Sequence, residues 1–127
     1  MTTFEVKPST REDLIEYLGD EVRNQTIRSL TVTLDGKIVG IGGLHLSLGV
    51  PLAFINMDES VKEVPGYKRT IIKCVRWVMR WLELSHKVAY TMPQNDEAHV
   101  FLTHFGFKHH ADYQGEKIYK WHNSYQH

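Results

Sequence analysis

Histidines are concentrated near the end of this chain, where they could bind a metal ion or carry protons. Six of the eight lie at or after position 99: His99, His104, His109, His110, His122 and His127. A metal site needs ligands that converge at fixed spacing, and neither a separation of five residues nor an adjacent pair matches a familiar ligand pattern. We therefore predict no metal site and interpret these residues as surface and strand-edge histidines that can take up protons near neutral pH.

A row of basic residues could bind an anion. The residues recur at helical spacing over about three turns and are named here the basic ridge: Arg69, Lys73, Arg76 and Arg80. The ridge is the solvent-exposed side of an amphipathic helix, a surface for an anionic partner, or a source of charge around the phosphates of a coenzyme. We favour the first interpretation, because the whole chain carries no net charge and Glu83 ends the ridge.

Composition limits the remaining possibilities. The chain has 127 residues, and 15 Lys and Arg balance 15 Asp and Glu, which argues against non-specific capture by nucleic acid or an anionic membrane. The lone cysteine, Cys74, excludes an intramolecular disulfide and is typical of a reduced, cytoplasmic protein. No apolar run approaches the ~20 residues that span a bilayer. We expect one soluble domain over residues 1–127.

Local patterns in the first half predict a strand, two helices and a hairpin. An alternating stretch at 4–7 precedes Ser9 and Glu12, whose spacing predicts a capping box for a helix that ends at Gly19. A short second helix is predicted at 20–28. Strands at 30–34 and 37–41 flank Asp35-Gly36, a turn that takes positive φ at both positions.

Two features of the central strands bear on their packing. Glycines at positions 40, 42 and 43 interrupt a strand pattern and predict a bulge or a close backbone approach. The nearly continuous apolar run at 51–57 predicts a strand that is buried on both faces of the sheet.

The second half alternates helices and strands. An apolar stripe of period 3.6 predicts a helix at 66–84 that buries Cys74. The elements expected after it are a strand at 87–92, a helix at 95–105, and a last hairpin at 107–113 and 117–121. The complete order is β-α-α-β-β-β-α-β-α-β-β, an α/β chain with a mixed sheet. We expect this sheet to open between the strands at 52–57 and 88–92.

This order resembles the fold of the GNAT family, the Gcn5-related N-acetyltransferases, over nearly the whole chain. The stretch from Asn95 to Phe107 is similar to the family pattern N-x-x-A-x-x-[LF]-[YL]-x-x-x-G-F. The resemblance implies that Asn95 and the helix that follows it flank coenzyme A.

The resemblance also implies a phosphate-binding turn at 63–68. The family pattern is Q/R-x-x-G-x-G/A, in which backbone N–H groups and a helix dipole hold the pyrophosphate of acetyl-CoA. Gly66 matches it, whereas Glu63, Pro65 and Lys68 depart from it. The implied cofactor-binding residues are Gly66, Tyr67, Lys68, Arg69 and Asn95, with Lys68 and Arg69 supplying charge in place of backbone geometry.

Catalytic candidates follow from the same resemblance. Many relatives protonate the leaving thiolate with a tyrosine, and the matching position here is Leu102, so Tyr113 and Tyr119 in the last hairpin are the candidate acids. The candidate bases lie at predicted strand ends and are Asp58, Glu59 and His45.

The function that the resemblance implies is transfer of an acetyl group from acetyl-CoA to an amine on a small molecule or a protein. A non-catalytic GNAT-fold scaffold that binds another protein is the alternative, similar to small bacteriophage-encoded proteins that act in the host cytoplasm or the virion. A module that binds an anionic ligand or nucleic acid through the basic ridge is the third.

Overall fold

The computed structural model describes residues 3–47, 49–93 and 102–123. Strands and α-helices are numbered in chain order: β1 (Phe4–Pro8), α1 (Arg11–Leu18), a 3-10 helix (Asp20–Asn24), β2 (Ile27–Leu34), β3 (Lys37–His45), β4 (Leu52–Met57), a second 3-10 helix (Glu59–Val61), α2 (Tyr67–Ser85), β5 (Val88–Thr91), β6 (Lys108–Tyr113) and β7 (Glu116–His122). The mixed α/β architecture predicted from the sequence is confirmed.

The seven strands form one sheet in the order β1-β2-β3-β4-β5-β7-β6. All neighbours are antiparallel except β4 and β5, which are parallel and pair at only two positions, Leu52 with Tyr90 and Ala53 with Thr91. Beyond Ala53, β4 continues for four residues with no strand paired on that side in the described chain. The predicted opening of the sheet between these two strands is confirmed.

Helix α2 forms the core on one face of the sheet. Its apolar stripe is buried there, with Leu82 fully enclosed and Cys74 only 1% exposed. Burial raises the pKa of the Cys74 thiol to about 11, and nearby Lys73 opposes the shift only in part. The stripe and the buried thiol are therefore as predicted.

Helix α1 and the first 3-10 helix cover the other face, where Leu14 and Val22 pack on Ile41 of β3. Residues 11–24 carry five acidic and two basic side chains: Glu12, Asp13, Glu16, Asp20 and Glu21 against Arg11 and Arg23. All four residues of the basic ridge are exposed on α2. The zero net charge therefore conceals a local excess of acid on one face of the sheet and a local excess of base on α2.

The start of α1 differs from the prediction by one residue. Thr10 is the N-cap, and Asp13 completes the capping box, with the Asp13 N–H donating to Thr10 Oγ1 at 3.1 Å and the Thr10 N–H to Asp13 Oδ2 at 3.0 Å. Ser9 is committed elsewhere, because its Oγ accepts hydrogen bonds from Ser29 and Thr31 of β2. The predicted pair of Ser9 and Glu12 was wrong for this reason.

The predicted helix at 20–28 is shorter and is a 3-10 helix. It ends at Asn24, and β2 begins at Ile27, which pairs with His45 at the far end of β3. Pairing with this longer β3 draws residues 27–29 into the sheet, which the local polarity of the segment did not indicate.

The prediction that the run at 51–57 is buried on both faces was wrong. Ile55 is 41% exposed, and Asn56 is also exposed. The cause is the limited pairing with β5, because the part of β4 beyond Ala53 faces the opening of the sheet, where none of the described strands pairs with it.

The glycines of β3 do mark close approaches and a bulge, as predicted. The register of β2 and β3 shifts between Val32 and Thr33. A Cβ on Gly43 would lie 2.6 Å from the Ser29 Cα and closer still to the Arg28 carbonyl oxygen. Only a glycine fits this position without moving backbone.

The end of the chain is described in part. Most of the helix predicted at 95–105, including Asn95, lies outside the described residues. Residues 102–104 are helical, and Gly106 follows with a φ of 93°. The last turn is Gln114-Gly115, one residue shorter than predicted. Among the described residues, no helix combines the length and apolar character needed to span a membrane.

Candidate active site

A cleft opens where β4 and β5 diverge. Its closed end is fixed by Thr91, whose hydroxyl donates to the Ala53 carbonyl at 2.8 Å. Past this point the β4 side chains alternate between the two faces, with Phe54 packing toward α1 and Met57 toward α2. The backbone N–H and C=O groups on that side of β4 are free of any described strand and can bind a ligand.

A carboxylate is held at the far end of β4. The Tyr17 hydroxyl of α1 donates to Asp58 Oδ1 at 2.7 Å and lies 3.2 Å from the Val39 carbonyl oxygen. Burial and the hydrogen bond to Asp58 raise the pKa of the Tyr17 phenol, so it remains protonated and donates. The Asp58 N–H bonds to the Val39 oxygen at 2.9 Å, which fixes the backbone as well. An oriented carboxylate of this kind can accept a proton from a substrate.

Tyr17 is the functional candidate that sequence reasoning missed. Its spacing from Leu14 placed it on the apolar side of α1, and its ring does pack against the cluster of Leu14, Val22 and Ile41. The hydroxyl at the edge of that cluster reaches Asp58, 41 residues along the chain. No local pattern indicates a contact of such separation.

The two other candidate bases are placed differently. The Glu59 side chain is 86% exposed and forms an ion pair with Lys62. His45 pairs with Leu52 at the opposite end of β4, about 20 Å from Asp58 at 3.3 Å per strand residue. The structure therefore brings neither of them to the position that Asp58 occupies beside Tyr17.

The two candidate acids are also separated. Tyr119 of β7 pairs with Thr91, next to the closed end of the cleft, and is 9% exposed. Tyr113 is 61% exposed beside the last turn, on the outermost strand β6. Only Tyr119 lies beside the cleft.

The N-terminus of α2 lies at the same end of the sheet as Asp58, because Gly66 is beside Phe4, which pairs with Leu34 at the β2–β3 turn, and Asp58 bonds to β3 just after that turn. Gly66 precedes the helix with a φ of 94°, and no described side chain caps the first turn. That turn contains Lys68 and Arg69 and no acidic residue. Cations at the positive end of a helix dipole are unfavourable alone but suit a site that receives an anion.

Three neighbouring residues serve packing or face solvent. Tyr67 is half-buried and packs on the core, and its N–H is used in a bond to the Val64 oxygen. Glu63 and Pro65, the departures from the family pattern, are exposed. Lys68 and Arg69 are therefore the groups near Gly66 that are free to contact a ligand.

No cluster of three or more His, Cys, Asp or Glu side chains that could hold a metal ion occurs within residues 3–47, 49–93 and 102–123.

Comparison with solved structures decides the fold, since no family model and no curated protein sequence matches the chain. The ribosomal-protein-S18-alanine N-acetyltransferase from Escherichia coli superposes with a TM-score of 0.70, at 14% identity, covering 96% of this chain and 95% of that one. The chain has the GNAT fold.

Other structures with the GNAT fold agree over similar lengths. The PaiA N-acetyltransferase from Thermoplasma acidophilum, solved in complex with coenzyme A, gives a TM-score of 0.64 at 13% identity, covering 94% of this chain and 99% of that one. An acetyltransferase of the GNAT family from Staphylococcus aureus gives 0.61 at 13% identity, covering 96% and 100%. The expectation that the chain resembles the GNAT fold over nearly its whole length is confirmed.

Proposed function

We propose that this protein transfers an acetyl group from acetyl-CoA to an amine in the cleft between β4 and β5. The observation that carries the proposal is the Asp58 carboxylate held by Tyr17 at the end of β4. It lies at the same end of the sheet as the uncapped, basic N-terminus of α2. Acyl transfer from a phosphorylated donor requires a base for the acceptor and a site that binds the donor phosphates. Both lie at this opening of the sheet.

The donor site is assigned to the first turn of α2. Gly66 places no side chain at the helix end, and Lys68 and Arg69 offer charge to a pyrophosphate. The family resemblance also implies Asn95 and Tyr67 as donor-site residues. Tyr67 contributes by packing on the core beside the helix end. Acetyl-CoA supplies the thioester carbonyl, and the free backbone of β4 can bind the chain that carries it.

The proton path uses residues on both sides of the cleft. Asp58 accepts the proton that the amine loses as its nitrogen forms a bond to the acetyl carbon. The carbon–sulfur bond breaks, and Tyr119 supplies a proton to the departing sulfur and is reprotonated from solvent. The products are an acetylated amine and coenzyme A with a free thiol.

Binding of acetyl-CoA tests this proposal directly. Acetyl-CoA at about a hundred times its dissociation constant should stabilise the fold by about 2.7 kcal/mol, seen as a rise in melting temperature of several degrees. Lys68→Glu should abolish the rise. Lys87→Glu, the same charge change on an exposed residue at the other end of α2, should preserve it. No rise at millimolar acetyl-CoA would refute the proposal.

Substitution of each candidate acid by phenylalanine tests the proton path. Tyr119→Phe keeps the ring in place and removes only the hydroxyl, so we expect turnover with an accepted amine to fall about a hundredfold. Tyr113→Phe should leave turnover unchanged, since Tyr113 is on the outer strand. Equal turnover in both variants would mean that water protonates the sulfur.

A non-catalytic scaffold is the second candidate. It is favoured by Leu102, which stands where many relatives have the tyrosine acid and which packs against the core instead. Glu63 and Pro65 weaken the phosphate turn in the same direction, as in the small bacteriophage-encoded proteins that the sequence resembles. A chain that fails to bind acetyl-CoA but retains a protein partner would establish this function.

A further inference from the structure

A second concave site lies away from the cleft, along the C-terminal half of α2. It is an open groove of about 990 Å³ with α2 on one side, β6 and β7 on the other, and residues 104–106 between them. It is named here the cationic groove. Arg76 is ten residues beyond Gly66, so the groove begins about 15 Å along the helix from the donor site.

The charge of this groove is strongly one-sided. Four Lys and Arg residues and four histidines line it against one acid, Glu83: Arg76, Arg80, Lys108, Lys120, His104, His109, His110 and His122. None of the four Lys and Arg side chains forms an ion pair in the described part of the chain. The balanced net charge argues against a nucleic-acid partner for the chain as a whole, but it conceals this local excess.

The last hairpin also places like charges side by side, on the face of the sheet turned away from α2, where Lys120 lies over the ring of Tyr90. Lys108 and Lys120 are direct cross-strand partners in β6 and β7. Like charges directly opposite each other destabilise a strand pair, and a bound anion removes that cost. Arg76 and Arg80 repeat the arrangement on α2, where residues four apart are neighbours and like charges repel.

Rings in the groove favour a ligand that carries bases over an acidic peptide. Its four histidines are exposed, and two of them have edge contacts with a ring on the α2 side of the sheet: His104 with Phe105, and His109 with Tyr119. The His109 Nε2 also lies 2.9 Å from Asp112 Oδ1, which holds the ring in place. Imidazole and aromatic rings stack on nucleic-acid bases. The Asp and Glu side chains of an acidic peptide carry no ring that could stack on them.

We propose that the cationic groove binds single-stranded nucleic acid, with Arg76 and Arg80 of α2 contacting phosphates and the exposed rings of His104 and His109 contacting bases. The groove's own residues carry this assignment, and it holds whether or not the cleft is catalytic.

The test is fluorescence anisotropy of a labelled oligothymidylate of about twelve nucleotides with the full chain. Affinity should fall with salt, and Arg76→Gln with Arg80→Gln should weaken binding at least tenfold and reduce the log–log salt slope by about 1.4. The matched control, Lys37→Gln with Lys117→Gln, removes the same charge outside the groove and should bind as the unaltered chain does. Melting temperatures of both double variants establish that they are folded.

Three results would overturn the proposal. These are no binding at low salt, equal loss in the control pair, or tighter binding of polyglutamate or duplex DNA than of the oligothymidylate. Lys68→Glu distinguishes this site from the donor site, because it should abolish stabilisation by acetyl-CoA and leave oligothymidylate affinity unchanged.

Discussion

Asp58→Asn should lower turnover with an accepted amine by about a thousandfold. The substitution keeps the size of the side chain and the backbone bond to Val39 but removes the carboxylate proposed to accept the substrate proton. The amide can still take the Tyr17 hydrogen bond, so the fold should be preserved. Steady-state kinetics together with the melting temperature of the variant check both statements.

Glu59→Gln is the matched control, because Glu59 is the adjacent acid and directs its side chain to Lys62 and solvent. Its turnover should equal that of the unaltered chain. Tyr17→Phe should fall between the two, with a loss of about tenfold, since the carboxylate remains but loses its orienting partner. A larger loss in Glu59→Gln than in Asp58→Asn would reverse the assignment of the base.

Gly43→Ala should destabilise the fold by about 3 kcal/mol or more. The added Cβ would overlap the Arg28 carbonyl oxygen and the Ser29 Cα, which are backbone atoms of the neighbouring strand and cannot rotate away. Separating β2 from β3 at this point would strain the centre of the sheet. Urea denaturation monitored by tryptophan fluorescence measures the loss.

Gly42→Ala is the control for Gly43→Ala. Its Cβ would lie 3.2 Å from Ile55 Cγ1, the side chain of a half-exposed residue that can move. The expected loss is about 1 kcal/mol or less, offset in part by the lower backbone entropy of alanine in the unfolded chain. Similar midpoints for the two variants would show that β2 yields to the added methyl group.

Features with a local cause could be predicted from the sequence. The Asp35-Gly36 turn has φ of 51° and 88°, because Asp and Gly tolerate the left-handed region that a tight hairpin requires. The period of the α2 stripe similarly fixed which side chains face the sheet, and Cys74 is buried accordingly. Such features depend on a few neighbouring residues and need no knowledge of the rest of the chain.

Features that depend on distant parts of the chain could not be predicted from the sequence. Thr10 caps α1 because Ser9 is bound to β2, some twenty residues away. Ile55 is exposed because β5 leaves β4 after two pairs. The proposed base, Asp58, is one of three sequence candidates, and the choice among them depends on a hydroxyl from α1. In each case the feature depends on contact with another strand or helix that is distant along the chain.

The burial of the lone thiol gives this chain a built-in probe of its own opening. Cys74 is 1% exposed, and its pKa of about 11 keeps nearly all of it protonated at neutral pH. Only the thiolate reacts with disulfide reagents, so labelling must wait until α2 leaves the sheet. Because the chain has no second cysteine, the rate of labelling reports the opening at this one position, and it can be followed in the native buffer without denaturant.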